Sequence, residues 1–239
     1  MIIIPARLQS TRFPEKILAN IGGVPMVVAT AQRVMTVDQV VVAADDVRVV
    51  EIVRGYGIDA VLTGVHHQSG TDRLFEACEI LGLNDHEMII NVQADEPFIE
   101  EEVVRAVKRR LQGLDRGFRM ASAYKIIDAH AARDPNLVKV VTDDEGDAIY
   151  FSRSMIPYDR DGVGVEYKGH LGIYGYTVAT LRRFCGWPTS DLEKIEKLEQ
   201  LRALTYGKKI AMVEVATEGF GIDTKEDWER AQQRLATLQ

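Results

Sequence analysis

Four short apolar runs, separated by stretches of helical period, fill the first 112 residues and confine the chain to an α/β fold. Ile2–Ile4 is ended by Pro5, and Val40–Ala44, Ile58–Leu62 and Met88–Val92 follow. Runs that are apolar throughout, rather than at alternate positions, suit strands buried on both faces of a parallel sheet. Between them the sequence predicts helices from Pro25 to Met35, from the capping pair Asp45–Asp46 to Gly55, from Thr71 to Leu81 and from Glu100 to Leu111. Such alternation implies βαβ units with right-handed crossovers.

The second half changes pattern. Met120–Ile126 reads as a strand, and Val138–Thr142 and Ala148–Phe151 flank the turn Asp143–Gly146 as a hairpin. Leu171–Tyr176 is a further strand, with Thr177 placed to cap a helix. Leu192, Ile195, Leu198 and Leu201 recur on one face of a predicted helix that ends at Gly207. Ile210–Val215 is a strand, and Thr224 with Asp227 forms a capping box for the last helix. No linker or repeat interrupts the 239 residues, so a single domain over 1–239 is expected. Its fold class is α/β, a Rossmann-like mixed, mainly parallel sheet with helices on both faces.

Composition removes several functions. A net charge of −7 disfavours a general nucleic-acid binder, and anionic substrates would have to be drawn by local basic loops or bound metal. Cys78 and Cys185 have no partner pattern, which argues against zinc and disulfides; both read as buried small residues in helices. No run approaches the length of a membrane span, and the N-terminal apolar run is too short for a signal peptide. A cytoplasmic location is expected.

In open α/β sheets, ligands bind beyond the carboxyl ends of the strands. The first such loop, Pro5–Lys16, carries Arg7, Arg12 and Lys16 with Ser10 and Thr11. Cations beside free amides suit a triphosphate, though the same composition fits a solvated basic loop. Neither a Walker A ending nor the spaced glycines of a dinucleotide site are present. The loop Asn91–Pro97 sets Asp95 and Glu96 just past a strand, as Mg²⁺ ligands or as helix caps. In Gly219–Asp223, Asp223 follows another short predicted strand. Thr224 already caps the helix, which frees Asp223 to join Asp95 on one ion; a second capping carboxylate is the competing reading. His66, His67 and His170 have no metal-ligand spacing.

The order of these motifs resembles one family. Ile4–Arg7 (IPAR), Lys16, His67–Thr71 (HQSGT), Asn91–Pro97 (NVQADEP), Val138–Val141 (VKVV) and Ala148–Arg153 (AIYFSR) come first. Ile156–Asp161 (IPYDRD), His170–Tyr176 (HLGIYGY), Leu198–Leu204 (LEQLRAL) and Gly221–Thr224 (GIDT) complete the series. From Met1 to about Trp228 the chain is similar to the CMP-Kdo synthetases, the 3-deoxy-manno-octulosonate (Kdo) cytidylyltransferases, within the wider nucleotide-diphospho-sugar transferase fold. The resemblance implies CTP and Kdo as substrates, Mg²⁺ as cofactor, CMP-Kdo and pyrophosphate as products, and lipopolysaccharide assembly as their use. It implies a cytoplasmic homodimer that binds neither nucleic acid nor membrane. Approximately 153–176 would be a hairpin subregion for dimerisation and sugar contact, and Ile156–Gly175 resembles the segment that pairs two subunits.

By motif match, Arg7 and Lys16 are implied as triphosphate ligands and Asp95 and Asp223 as metal carboxylates. Ser10 is implied on the substrate side, as are Arg73, Gln93, Arg153, His170, Tyr174, Glu199 and Gln200. No side chain in the motifs reads as a general base, which leaves the metal as candidate activator of the attacking hydroxyl. The sequence departs from the family at Ala94, where glycine is common, and in a short segment between Asp161 and Lys168. A φ above zero at Ala94 would cost about 1 kcal/mol and disturb the aim of Asp95. The 8-amino form of Kdo and sialic acid are alternative acceptors. A non-catalytic nucleotide-binding regulator would not need both aspartates, and a glycosyltransferase would release no pyrophosphate.

Overall fold

The computed structural model describes residues 1–10, 13–67, 69–115 and 117–237. In the first part, β1 (Ile2–Ala6) is followed by a 3-10 turn at Lys16–Leu18 and by a two-stranded ribbon, β2 (Asn20–Ile21) and β3 (Val24–Pro25). Then come α1 (Met26–Val34), β4 (Val40–Ala44), α2 (Val47–Gly55), β5 (Asp59–Leu62), α3 (Gly70–Ile80), β6 (Met88–Asn91) and α4 (Glu101–Gln112). The second part holds β7 (Met120–Ile127), β8 (Lys139–Thr142), β9 (Ala148–Ser152), β10 (Tyr167–Thr177), α5 (Val178–Cys185), α6 (Asp191–Glu196), α7 (Leu201–Thr205), β11 (Ala211–Glu214) and α8 (Lys225–Thr237).

Where the sequence offers no linker, the contacts group these residues into two compact units. One is Met1–Asn84 with Ile89–Val104 and Glu218–Gln239; the other is Asp85–Met88 with Arg105–Thr217.

In the first unit β1 pairs in parallel with both β4 and β6, and β4 with β5. Every residue of β1 and β4 is buried, as their unbroken apolar runs require. Asp46 caps α2 by accepting from Arg48 N–H, and Ser69 caps α3 by accepting from Asp72 N–H. Thr224 and Asp227 form the expected reciprocal cap of α8. The ribbon turns at Gly22–Gly23, both with positive φ (60° and 96°), a geometry that two-residue hairpins favour.

In the second unit β11 runs parallel to β7, while β10 pairs antiparallel with β7 and β8, and β8 with β9. The strand set is therefore mixed, as expected. The hairpin turn at Asp143–Gly146 is also as read, with Gly146 at φ +79°.

Some local expectations change. The single helix read through Leu192–Leu204 is two short ones, α6 and α7, because Lys197 adopts a left-handed φ of 53° between them. Gly219–Asp223 is irregular backbone rather than a strand. The polar loop before Asn20 contains the 3-10 turn that sets Lys16. Cys78 is buried, but Cys185, at the end of α5, is only half-buried.

Candidate active site

A small apolar cluster explains how three distant charged residues meet. Ile21, Met26, Phe98, Ile222 and Ala231 form a buried group, with Phe220 and Trp228 packed against it. Ile21 lies just beyond Lys16, Phe98 just beyond Asp95, and Ile222 beside Asp223. Burying these three apolar side chains together pins the charged neighbour of each. Two bonds to main-chain carbonyls add register: Ile222 N–H donates to Asp95 O at 2.9 Å, and the Thr30 Oγ1 hydroxyl donates to Ala94 O at 3.1 Å. Gly221 permits the close approach, since a Cβ there would lie 3.1 Å from Glu96 Oε1.

Lys16 Nζ donates to Asp95 Oδ2 at 2.5 Å, to Asp223 Oδ1 at 2.8 Å and to Ile222 O at 3.0 Å. All three ammonium protons are used. Burial works against the charge on Lys16. The Asp95 carboxylate and then Asp223 outweigh it, so the pKa is raised above 10.5. Glu15, immediately before, takes a left-handed φ of 52°, a local strain that turns the chain into the Lys16–Leu18 turn. Thr224 Oγ1 accepts from Asp227 N–H at the start of α8, while Asp95 and Asp223 both accept from Lys16. Ala94 is absent from the non-glycine residues with positive φ, which among the described residues are Glu15 and Lys197. The alanine therefore sits without backbone strain.

Arg7, Ser10, Lys16, Arg73, Gln93 and Asp95 line one cavity of about 240 Å³, together with His67. Arg7 and Ser10 also line a broader cleft of about 790 Å³. Thr11, Arg12 and Gln68, expected in the same loops, lie outside the described residues. Arg73 is buried; it donates to Thr63 Oγ1 at 2.6 Å, to Gly64 O at 3.3 Å and to Asp45 Oδ2 at 3.0 Å. Gln93 Nε2 reaches Asn91 Oδ1 at 3.4 Å.

The other expected substrate residues belong to the second unit. His170 and Tyr174 sit with ring centroids 5.4 Å apart. A register shift between Leu171 and Tyr174 brings the carbonyls of Leu171 and Ile173 to Ser122 Oγ, at 3.3 and 2.8 Å. Carbonyls only accept, so the single Ser122 proton goes to one of them. Its oxygen then accepts from His170 Nε2 at 2.9 Å, which fixes the Nε2–H tautomer. Burial lowers the His170 pKa to about 3, so the ring is neutral. Burial, then the Glu199 charge, raises the Tyr174 phenol well above its ordinary value. Glu199 lies 3.5 Å from Arg202, and Gln200 is buried at the start of α7. Arg153 spends its guanidinium on the carbonyls of Pro135, Glu196 and Lys197.

Sequence reasoning passed over Asp45, reading it with Asp46 as a capping pair. One carboxylate suffices for a cap, and Asp46 supplies it; the surplus aspartate at the end of an apolar strand was the available signal. It also passed over Glu76, which pairs with His67 and accepts from Gly64 N–H at 2.8 Å.

The profile of the cytidylyltransferase family matches residues 1–210. The chain is 55% identical to the 3-deoxy-manno-octulosonate cytidylyltransferase of Wolinella succinogenes, over 97% of each chain. It is 48% identical to that of Helicobacter pylori, over 97% of this chain and 96% of the relative. Among solved structures it matches a CMP:2-keto-3-deoxy-manno-octonic acid synthetase complexed with CTP, with a TM-score of 0.93 and 38% identity, covering 100% of this chain and 98% of the other. A cytidylyltransferase from Leptospira borgpetersenii shares the fold at a TM-score of 0.64 and 17% identity, over 99% of this chain and 86% of the other. With its Asp95–Asp223 carboxylate pair, basic first loop and full-length likeness to these relatives, the chain belongs to the 3-deoxy-manno-octulosonate cytidylyltransferase family.

Proposed function

We propose that the chain transfers CMP from CTP to 3-deoxy-D-manno-octulosonate, giving CMP-Kdo and pyrophosphate for lipopolysaccharide biosynthesis. The observation that carries this reading is the meeting of Lys16, Asp95 and Asp223 at one point beside a cavity lined by Arg7 and Arg73.

In this reaction the anomeric hydroxyl oxygen bonds to the α-phosphorus. The bond from that phosphorus to the bridging oxygen of the β-phosphate breaks, and its electron pair leaves with pyrophosphate. Catalysis of such transfers rests mainly on positioning and charge. Arg7, exposed at the mouth of the first loop, binds triphosphate oxygens, and Lys16 counters charge that builds on the departing pyrophosphate. Ser10 adds a hydroxyl on the cavity wall. Asp95 and Asp223 fit Mg²⁺: they are hard oxygen donors and already converge on a single cation. When bound, the ion supplies charge neutralisation at the phosphates and acidifies the attacking hydroxyl.

The sugar-side residues are Arg73 and Gln93 of the first unit and the neutral His170 and Tyr174 of the second. His170, with Nε2–H committed to Ser122, offers Nδ1 as an acceptor, and the protonated Tyr174 phenol offers a donor; both suit sugar hydroxyls. Glu199 and the buried Gln200 add polar groups, and Arg153 braces the Glu196–Lys197 turn that precedes them. The reading includes a homodimer. Supporting it, Tyr158 and Val163 are 82% and 78% exposed within the Ile156–Gly175 segment. It also includes a cytoplasmic location, where CTP is available; among the described residues no helix is long and apolar enough to cross a membrane.

The test is pyrophosphate release with CTP and Mg²⁺ across octulosonate, its 8-amino form and sialic acid, omitting one component at a time. Release that requires octulosonate, CTP and Mg²⁺ is expected. Preference for another acid would reassign the acceptor, and CTP binding without release from any of them would make the chain a nucleotide-binding regulator.

A further inference from the structure

Asp45 stands at the carboxyl end of β4, in the wall of the cleft that Arg7 lines. A carboxylate repels a polyanion, so its presence there calls for a compensating role. Helix capping is not that role, since Asp46 caps α2. Asp45 instead holds three groups. Its own N–H donates to Ala6 O at 3.3 Å, and its Oδ1 accepts from Leu8 N–H at 2.9 Å. The two bonds bracket Arg7 and fix the backbone on either side of it. Oδ2 accepts from Arg73 at 3.0 Å, and the side chains of Asp45 and Arg73 are only 9% and 3% exposed. The pairing cancels the Asp45 charge and locks the guanidinium, which Thr63 and Gly64 also hold. Arg7 is left as an exposed cation presented by a fixed backbone.

We propose that Asp45 is a positioning residue of the transfer reaction, setting Arg7 toward the nucleotide triphosphate through the backbone of Leu8 and setting Arg73 through its guanidinium. The inference rests on the nucleotidyl-transfer reading, and its two arms are separable because each carboxylate oxygen serves a different one.

The experiment measures CTP affinity by calorimetry with Mg²⁺ present, and steady-state kinetics, in Asp45→Ala, Asp45→Asn, Arg7→Ala and the double variant Asp45→Ala with Arg7→Ala. Asp45→Ala is expected to weaken CTP binding about tenfold. Asp45→Asn keeps an oxygen for Leu8 N–H and loses the acceptor for Arg73. It should leave CTP affinity within about twofold of wild type while raising KM for the sugar acid. Arg7→Ala should cost little more in the Asp45→Ala background than Asp45→Ala alone, because the first change has already misplaced Arg7. Losses that multiply in the double variant, or unchanged CTP affinity in a folded Asp45→Ala protein, would overturn the proposal. If Asp45→Ala does not fold, Asp45→Asn decides: equal losses for CTP and sugar acid would overturn it. A wild-type protein that binds CTP but releases no pyrophosphate would defeat the transfer reading, and the CTP affinities would still judge the Asp45–Leu8–Arg7 arm.

Discussion

The Lys16 ammonium lies 2.5 Å from the carboxylate of Asp95, a residue 79 positions further along the chain. With Asp223 at 2.8 Å, the lysine holds two carboxylates together that would otherwise repel. The arrangement joins three strand-end and loop segments of the first unit at one charged point. It ties the basic first loop to the acidic residues that a divalent ion would use.

Lys16→Ala should lower kcat more than it weakens CTP binding, since in the proposed reaction its charge acts on the departing pyrophosphate. Steady-state kinetics with a separate CTP binding measurement checks this. A raised KM for CTP at unchanged kcat would instead make Lys16 a ground-state binding residue.

The neutral His170 predicts a pH effect on stability. Its folded pKa of about 3 lies below its ordinary 6.5, so between those values the unfolded chain binds more protons. Stability then falls as pH drops through that window, by up to about 1.4 kcal/mol per pH unit from this group. Urea unfolding at pH 7, 5.5 and 4.5 should give a steeper loss for wild type than for His170→Gln. Equal slopes would mean that the ring is protonated in the folded protein.

Arg202 and Glu193 form a buried pair in the second unit, with contacts of 2.9 and 2.5 Å. Glu193 also completes the capping box of α6 through Ser190. Arg202→Ala leaves that carboxylate buried without its countercharge and should destabilise the protein by about 3 kcal/mol. Denaturant midpoints measure the loss, and replacing Glu193 by Gln in the same background should recover part of it.

Much of this was legible in the sequence because the signals were local. Buried strands announce themselves as unbroken apolar runs, and caps such as Thr224–Asp227 as fixed spacings. For Asp223 the same spacing left a second capping carboxylate open beside a metal role. Contacts across long separations left no such mark. Nothing in the hydrophobic period from Leu192 to Leu204 signals the left-handed Lys197 that divides the helix. The Asp45–Arg73 pair and the Ser122–His170 bond depend on which strands become neighbours. The partners that occupy the Arg153 guanidinium are main-chain carbonyls, which carry no sequence signature.

Assembly gives a further expectation. Asp159 accepts from the N–H groups of Val163 and Gly164, ordering a loop that exposes Tyr158 and Val163. Sedimentation over a dilution series should reveal a dimer, and Arg160→Glu should weaken it. Full specific activity in a demonstrably monomeric sample would separate pairing from catalysis.

The central claim is that Asp95 and Asp223 form the catalytic acidic pair, and the most direct measurement is the turnover of Asp95→Asn at saturating CTP, Mg²⁺ and octulosonate. The substitution keeps the side-chain size and an acceptor for Lys16 while removing the charge. The account predicts a fall in kcat of about 100-fold or more with the fold intact. Near-normal kcat in a folded Asp95→Asn protein would contradict it.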